Sequence, residues 1–233
     1  MRCFRLSHAG LVVELDGSSL FIDPGNFSST EELAAALSTA APIAAIVITH
    51  EHADHWTPEH ISALRAASPE APIFTTEVTA RSLAEAGITD RVHTVAETDH
   101  HTAGPFVLDF YGRRHEMIHS SIPVIENVGV QVNGTLAWGG DCLTRAPFVA
   151  DVLGVPIGSP WSNVAQVMDF VLVNAPKRVY LTHDGMLSAK GLGFFRQRVE
   201  AALGPSGGVV LDVPHVGTDP AARCELGDPA VRA

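Results

Sequence analysis

The chain has 233 residues, 46% of them hydrophobic and 18% charged, which suits one domain with a sizeable core and not a disordered chain. A formal charge of −11, with only 15 Lys and Arg and no basic block, argues against phosphate neutralisation, so no nucleic-acid partner is expected. The three cysteines form no CxxC pair and no apolar run nears the ~20 residues that span a bilayer, so a soluble, cytoplasmic chain without a membrane partner is expected.

At the N-terminus His8, Glu14 and Asp16 interrupt what would otherwise be a signal peptide's apolar stretch. "FRLS", "GLVVEL" and "SLFID" read as short strands, and Asp16-Gly17 is a hairpin turn signal. A helix is predicted over 29–40, where a Ser/Thr cap precedes two glutamates. "AAIVIT" (44–49) is a strand buried on both faces, and it runs directly into His50. Thr57-Pro58 opens a second helix over 57–68. "PIFTT" and "RVHTV" read as strands flanking the helix "EVTARSLAEAG", which Gly87 ends; "FVLDFYG" (106–112) is another strand. Residues 127–141 form a hairpin with Asn133-Gly134 at its tip. A helix over 161–175, a strand over 177–182, a helix over 188–203 and a last strand in "GVVLDV" complete the chain. Runs of strands with helices interspersed predict a mixed α/β fold of two sheets covered by helices.

Two stretches carry zinc-like patterns. "THEHADHW" places His50, His52, Asp54 and His55 within six positions, and "HEMIH" (115–119) offers H-E-x-x-H. On composition, HxHxDH arises by chance roughly twenty times less often than HExxH. HExxH also needs a helix to bring its histidines onto one face, whereas this stretch follows a strand and runs into Pro123. HxHxDH instead leaves the end of a buried strand, with His50 and His52 pointing the same way and Asp54 and His55 at the following turn. Imidazole and carboxylate suit zinc, manganese or iron. Four ligands in so short a loop exceed what one small cation takes, which predicts two metals. Asp23, His115, Asp141 and His183 also stand at or just beyond strand ends.

HxHxDH after a strand, an isolated His before a hairpin, GGD at the hairpin's end and a late "LTHD" together resemble the metallo-β-lactamase superfamily over about residues 3–215. "SHAGLVVELDGSSLFIDPG" resembles the opening of its lactonase-like and phospholipase-like branch. The resemblance implies a four-layer αββα sandwich forming a single domain over 1–233. It also implies a binuclear site in which His50, His52 and His115 hold one metal, Asp54, His55 and His183 hold the other, and Asp141 bridges them. Asp23 would orient a ligand by hydrogen bond. The implied activity is a metal-dependent hydrolase using two divalent ions, zinc first and manganese or iron as alternatives. A hydroxide shared by the ions would attack an ester, lactone, thioester or phosphodiester of a small-molecule substrate. Asp54 would carry the proton, with Asp141 as the other catalytic carboxylate.

His8 and His119 are candidates for orienting a ligand or touching substrate. Trp161, in "GSPWSN", either walls the pocket or packs its helix. Cys142 is expected to be a small buried side chain. Within "HEMIH" one histidine should ligate, because four extended residues span about 13 Å at ~3.3 Å each. His115 is that one, since it comes straight off its strand. The alternatives are a mononuclear iron thiol or persulfide oxygenase of the same fold and a metal-binding protein without turnover.

Overall fold

Strands β1 (Arg2–Arg5), β2 (Leu11–Leu15) and β3 (Ser18–Ile22) form an antiparallel meander in a computed structural model that describes residues 1–229. Asp16 and Gly17 both take positive φ, 46° and 74°, the backbone that an Asp-Gly hairpin turn requires. Helix α1 (Thr30–Thr39) begins on Ser29, whose hydroxyl accepts the Glu32 N–H while the Glu32 carboxylate accepts the Ser29 N–H. The chain continues through β4 (Ile43–Ile48), α2 (Pro58–Ala67), β5 (Ile73–Thr75), α3 (Glu77–Glu85) and β6 (Val92–Thr94), with β3 to β6 parallel.

The second half repeats the plan. Strands β7 (His100–Ala103), β8 (Phe106–Tyr111), β9 (Gly129–Val132) and β10 (Leu136–Trp138) are antiparallel. From β10 onward β11 (Val152–Pro156), β12 (Arg178–Thr182) and β13 (Val209–Leu211) add in parallel, with α4 (Val164–Asn174) and α5 (Ala189–Leu203) as crossovers. A short β14 (Cys224–Glu225) returns to pair with β1. The orders are β14-β1-β2-β3-β4-β5-β6 and β13-β12-β11-β10-β9-β8-β7.

Period-two alternation divides the apolar residues among three layers of packing. Leu20, Ile22, Ala45 and Val47 meet Leu108, Val130, Leu136, Trp138 and Tyr180 between the sheets. Their neighbours Phe21, Ile46 and Ile48 face Leu33, Leu64 and Leu83 of the first three helices. Across the molecule Leu153, Val155, Val179 and Leu181 face Val167, Phe170 and Val199 of α4 and α5. This is the αββα sandwich, and it explains why "AAIVIT" is apolar at nearly every position. Each such aliphatic side chain contributes about 1.5–3 kcal/mol on burial.

Three strands lack a clear sequence signal. β11, "VLGVP", carries Gly and Pro, yet it is completely buried between β10 and β12, with its Pro last. β7, "HHTA", is a polar edge strand, and β14 has two residues. Helix α4 starts at Val164 instead of 161, because Asn163 accepts the N–H groups of Ala165 and Gln166 as its cap. Trp161 is left in the preceding loop. Among the described residues no helix is long and apolar enough to cross a membrane.

The register also sets where the loops meet. β1, β3 and β4 share one direction in their sheet, as β8, β10 and β12 do in theirs. The segments that leave these six strands carry His8, Asp23, His50 to His55, His115, Asp141 and His183.

Candidate metal centre

Asp141 is at the middle of the cluster and is 2% exposed. Its Oδ1 is 3.1 Å from His55 Nε2, and its Oδ2 is 3.0 Å from His183 Nε2, 3.3 Å from His115 Nε2 and 3.9 Å from His50 Nε2. Around it two sets of donors converge: His50, His52, His115 and Asp141, and Asp54, His55, Asp141 and His183. Within each set the ligand atoms lie within 4.8 Å of one another. Asp141 belongs to both.

The hydrogen bonds aim these rings. His55 Nδ1 is 3.0 Å from Asp23 Oδ2, His115 Nδ1 donates to the Glu116 carbonyl at 2.6 Å, and His183 Nδ1 meets Ser159 Oγ at 3.0 Å. In all three the opposite nitrogen, Nε2, is buried without a hydrogen-bonded partner, and Asp141 Oδ1 shares that condition. Unpartnered buried nitrogens beside a buried carboxylate are costly unless something else takes their lone pairs. A divalent cation does so, and an outer partner on the far nitrogen is the usual way a ligating histidine is oriented. His50 Nε2 and His52 Nδ1 converge at 3.1 Å in the same manner. The donor set therefore fits two cations.

Burial and the Asp141 carboxylate set the charges of the polypeptide alone. Burial holds His50 well below its ordinary pKa and lowers His52, so both present neutral nitrogens. At His55 and His183 burial pulls the same way, but the Asp141 carboxylate outweighs it and raises both. Burial works to raise Asp141, yet His55 and His183 hold it well below the usual carboxylate range. Asp54 is also depressed against its burial by the neighbouring His183, His8 and His55 rings.

The turn after β3 supports the HxHxDH loop from beneath. Asp23 accepts the Thr49 N–H and hydroxyl at 2.8 Å each and the Trp138 indole N–H at 2.7 Å, besides facing His55. Gly25 follows, and a Cβ there would lie 1.9 Å from the Asp54 carbonyl carbon and oxygen. No side-chain rearrangement relieves a clash with backbone. Gly25→Ala should therefore push the loop out, costing about 1–3 kcal/mol in urea unfolding and lowering metal content together. Unchanged stability and metal content would show that the loop does not rest on this turn.

The sequence profile of the beta-lactamase superfamily domain matches residues 5–183, more than half of the chain and all seven residues of the two donor sets. The chain belongs to this superfamily. It is 28% identical over 204 residues to Protein Rv0786c of Mycobacterium tuberculosis (strain ATCC 25618 / H37Rv), across 85% of this chain and 91% of that one. In structure it is similar to Igni18, a metallo hydrolase of the archaeon Ignicoccus hospitalis, with a TM-score of 0.68, 19% identity and coverage of 91% and 94%. It is also similar to CmlA, a diiron β-hydroxylase of Streptomyces venezuelae, with a TM-score of 0.65, 12% identity and coverage of 91% and 53%. At these identities the two structures share its fold.

His50, His52, Asp54, His55, His115, Asp141 and His183, the residues expected to ligate, lie together in the two donor sets. Asp23, expected to orient a ligand by hydrogen bond, lies 3.0 Å from His55 Nδ1. Trp161, expected as a pocket wall or a helix anchor, is 6% exposed and donates its indole N–H to Asp141 Oδ2 at 3.1 Å. His119 is exposed and bonds Ser121 Oγ at 2.7 Å within its own loop. Cys142 is buried, with its thiol toward the Gly139 carbonyl. Thr49, Asn127 and Ser159 were not singled out from the sequence. Asn127 Oδ1 accepts the Asp141 N–H at 3.0 Å while its amide donates to the Gly139 carbonyl at 2.8 Å, which fixes the turn that presents Asp141. Only Thr49 carried a signal, its place directly before His50.

Proposed function

We propose that the chain is a metal-dependent hydrolase that holds two divalent cations and cleaves an ester, lactone, thioester or phosphodiester bond of a small molecule. The observation that carries this reading is the pair of donor sets joined by Asp141, with three buried Nε2 atoms lacking partners. When bound, two cations supply Lewis acidity and a water acidified to near neutral pH. Zinc suits the His and Asp donors best, and manganese or iron is compatible with them.

The residues divide the remaining work. His50, His55, His115, Asp141 and His183 are buried and stay in place through packing and their outer hydrogen bonds. His52 and Asp54 are the partly exposed ligands, so substrate approaches on their side. The Asp54 carboxylate is 23% exposed, so of the two carboxylates in the donor sets it is the one placed to take a proton at the opening and return it to the leaving group.

Chain purified without chelator and resupplied with zinc should carry about two zinc ions by elemental analysis. It should turn over at least one member of a panel of lactones, thioesters, aryl esters and bis-p-nitrophenyl phosphate. Saturation near one iron, with oxygen uptake in the presence of a thiol or persulfide, would replace this reading by the mononuclear oxygenase. Metal binding with neither activity would leave a metal-binding protein.

A further inference from the structure

His8 belongs to neither donor set, yet it is 1% exposed and lies against Asp54, His55 and His183 of the second. Its backbone takes φ = 61°, the left-handed region that residues with a Cβ seldom enter. In that conformation its carbonyl accepts the Thr182 hydroxyl at 2.8 Å and the His183 N–H at 3.0 Å, tying the ends of β1 and β12 together. The ring stacks on Phe27, with centroids 4.1 Å apart and planes 18° apart, and tilts over His183.

Two contacts fix which nitrogen holds the proton. His8 Nδ1 is 3.0 Å from the Gly185 backbone nitrogen. A backbone N–H only donates, so Nδ1 accepts and carries no proton, and the ring proton is on Nε2. His8 Nε2 is 3.1 Å from Asp54 Oδ2. A Cβ at position 185 would lie 2.4 Å from the Phe27 ring and 2.9 Å from His8 Nδ1, so glycine is what lets this N–H come so close.

The same Asp54 oxygen lies 3.5 Å from His183 Nε2 and 3.8 Å from His55 Nε2. Of the second donor set, Asp54 is the one member that burial does not hold. We propose that His8 is a positioning residue for Asp54: its Nε2–H clamps Oδ2 beside His55 and His183 and so sets the carboxylate for the second cation. This rests on the two-cation reading above. It adds that the tautomer is imposed by the Gly185 N–H, linking the "SHAG" and "LTHDG" stretches to one ligand of the HxHxDH loop.

The test is zinc affinity at both sites, by chelator competition, in three variants. His8→Ala removes the ring. His8→Asn suits the left-handed backbone and keeps an acceptor for the Gly185 N–H, but is too short to reach Asp54. His8→Gln places an amide N–H where Nε2–H was. His8→Ala and His8→Asn should each weaken one zinc by about 10–100-fold and leave the other unchanged. His8→Gln should recover most of the loss. In wild-type protein, ¹⁵N shifts of His8 should report protonated Nε2 and bare Nδ1, with and without zinc. Wild-type zinc affinity in His8→Asn, or a proton on Nδ1, would overturn the proposal. Neither readout needs turnover, so a chain that binds two zinc ions without hydrolysing anything would sink the hydrolase and leave His8 standing. A wild-type chain that saturates at one zinc would overturn the two-cation reading and this proposal together.

Discussion

Asp141→Asn should lower hydrolysis by about 10³-fold or more while the protein stays folded. The amide keeps the size of the carboxylate, and its oxygen can still accept the Trp161 indole N–H. It loses the negative charge and one of the two oxygens that face His55 on one side and His183 and His115 on the other. Both donor sets contain Asp141, so zinc content should fall from about two toward one, with the remaining ion bound more weakly. Circular dichroism should be unchanged, because the Asp141 N–H bond to Asn127 belongs to the backbone. The pH dependence of the zinc-free protein gives an independent check. The depressed Asp141 contributes stability above its unfolded pKa of ~3.9, which is lost as pH falls through its folded value. The raised His55 contributes stability below its unfolded pKa of ~6.5, which is lost as pH rises through its folded value. Wild type should therefore exceed Asp141→Asn in stability most between about pH 4 and 6.5. Undiminished hydrolysis and two retained zinc ions would remove Asp141 from the centre.

The clustering of the candidate ligands was legible because each follows a strand whose own pattern is strong, so sequence order alone brought them to one edge. "AAIVIT" before His50, "TLAWGG" before Asp141 and "RVYLT" before His183 are such cases. What supports the ligands was far less visible. Asn127 and Ser159 are ordinary polar residues in loops, and their partners are 14 and 24 positions away. A bond between loops from different strands leaves no periodicity in either one. Strand β11 was missed for a related reason: its Gly154 looks like a breaker, but a Cβ there would meet the Tyr180 and Trp138 side chains at 2.6 and 2.7 Å. Glycine is at that position because of tertiary packing, which overrides local propensity. His8 shows the same limit. Its left-handed backbone and bare Nδ1 depend on β12 and Gly185, both remote in the sequence.

His115→Ala should cost about one zinc per chain and reduce hydrolysis by about 10²–10³-fold or more, whereas His119→Ala should keep both zinc ions and change turnover or substrate preference only modestly. The two histidines sit in one H-E-x-x-H pattern, so the comparison decides between a helical zinc motif and a strand-end ligand. The segment from 114 to 124 is not helical: Arg114 forms a bridge with Glu126, and the His115 N–H donates to the Ile125 carbonyl at 3.1 Å. His115 is consequently held at the inner end of the loop, 4% exposed, with its ring centroid 4.8 Å from His52 and 5.0 Å from His50. Four residues later the chain has turned outward, and His119 shares its Nδ1 with the Ser121 N–H and hydroxyl. Glu116, which would be the general base of a helical H-E-x-x-H site, uses Oε2 to accept the Leu143 N–H at 3.3 Å and its own N–H to bond the Asp141 carbonyl at 2.8 Å. It braces the loop that carries Asp141. Glu116→Gln should then retain zinc and most of the activity, because the amide oxygen can still accept that N–H. Zinc lost on changing His119 and kept on changing His115 would reverse the assignment. A loss on Glu116→Gln as large as that on His115→Ala would restore Glu116 to the chemistry, and the loop would then have to rearrange when zinc binds.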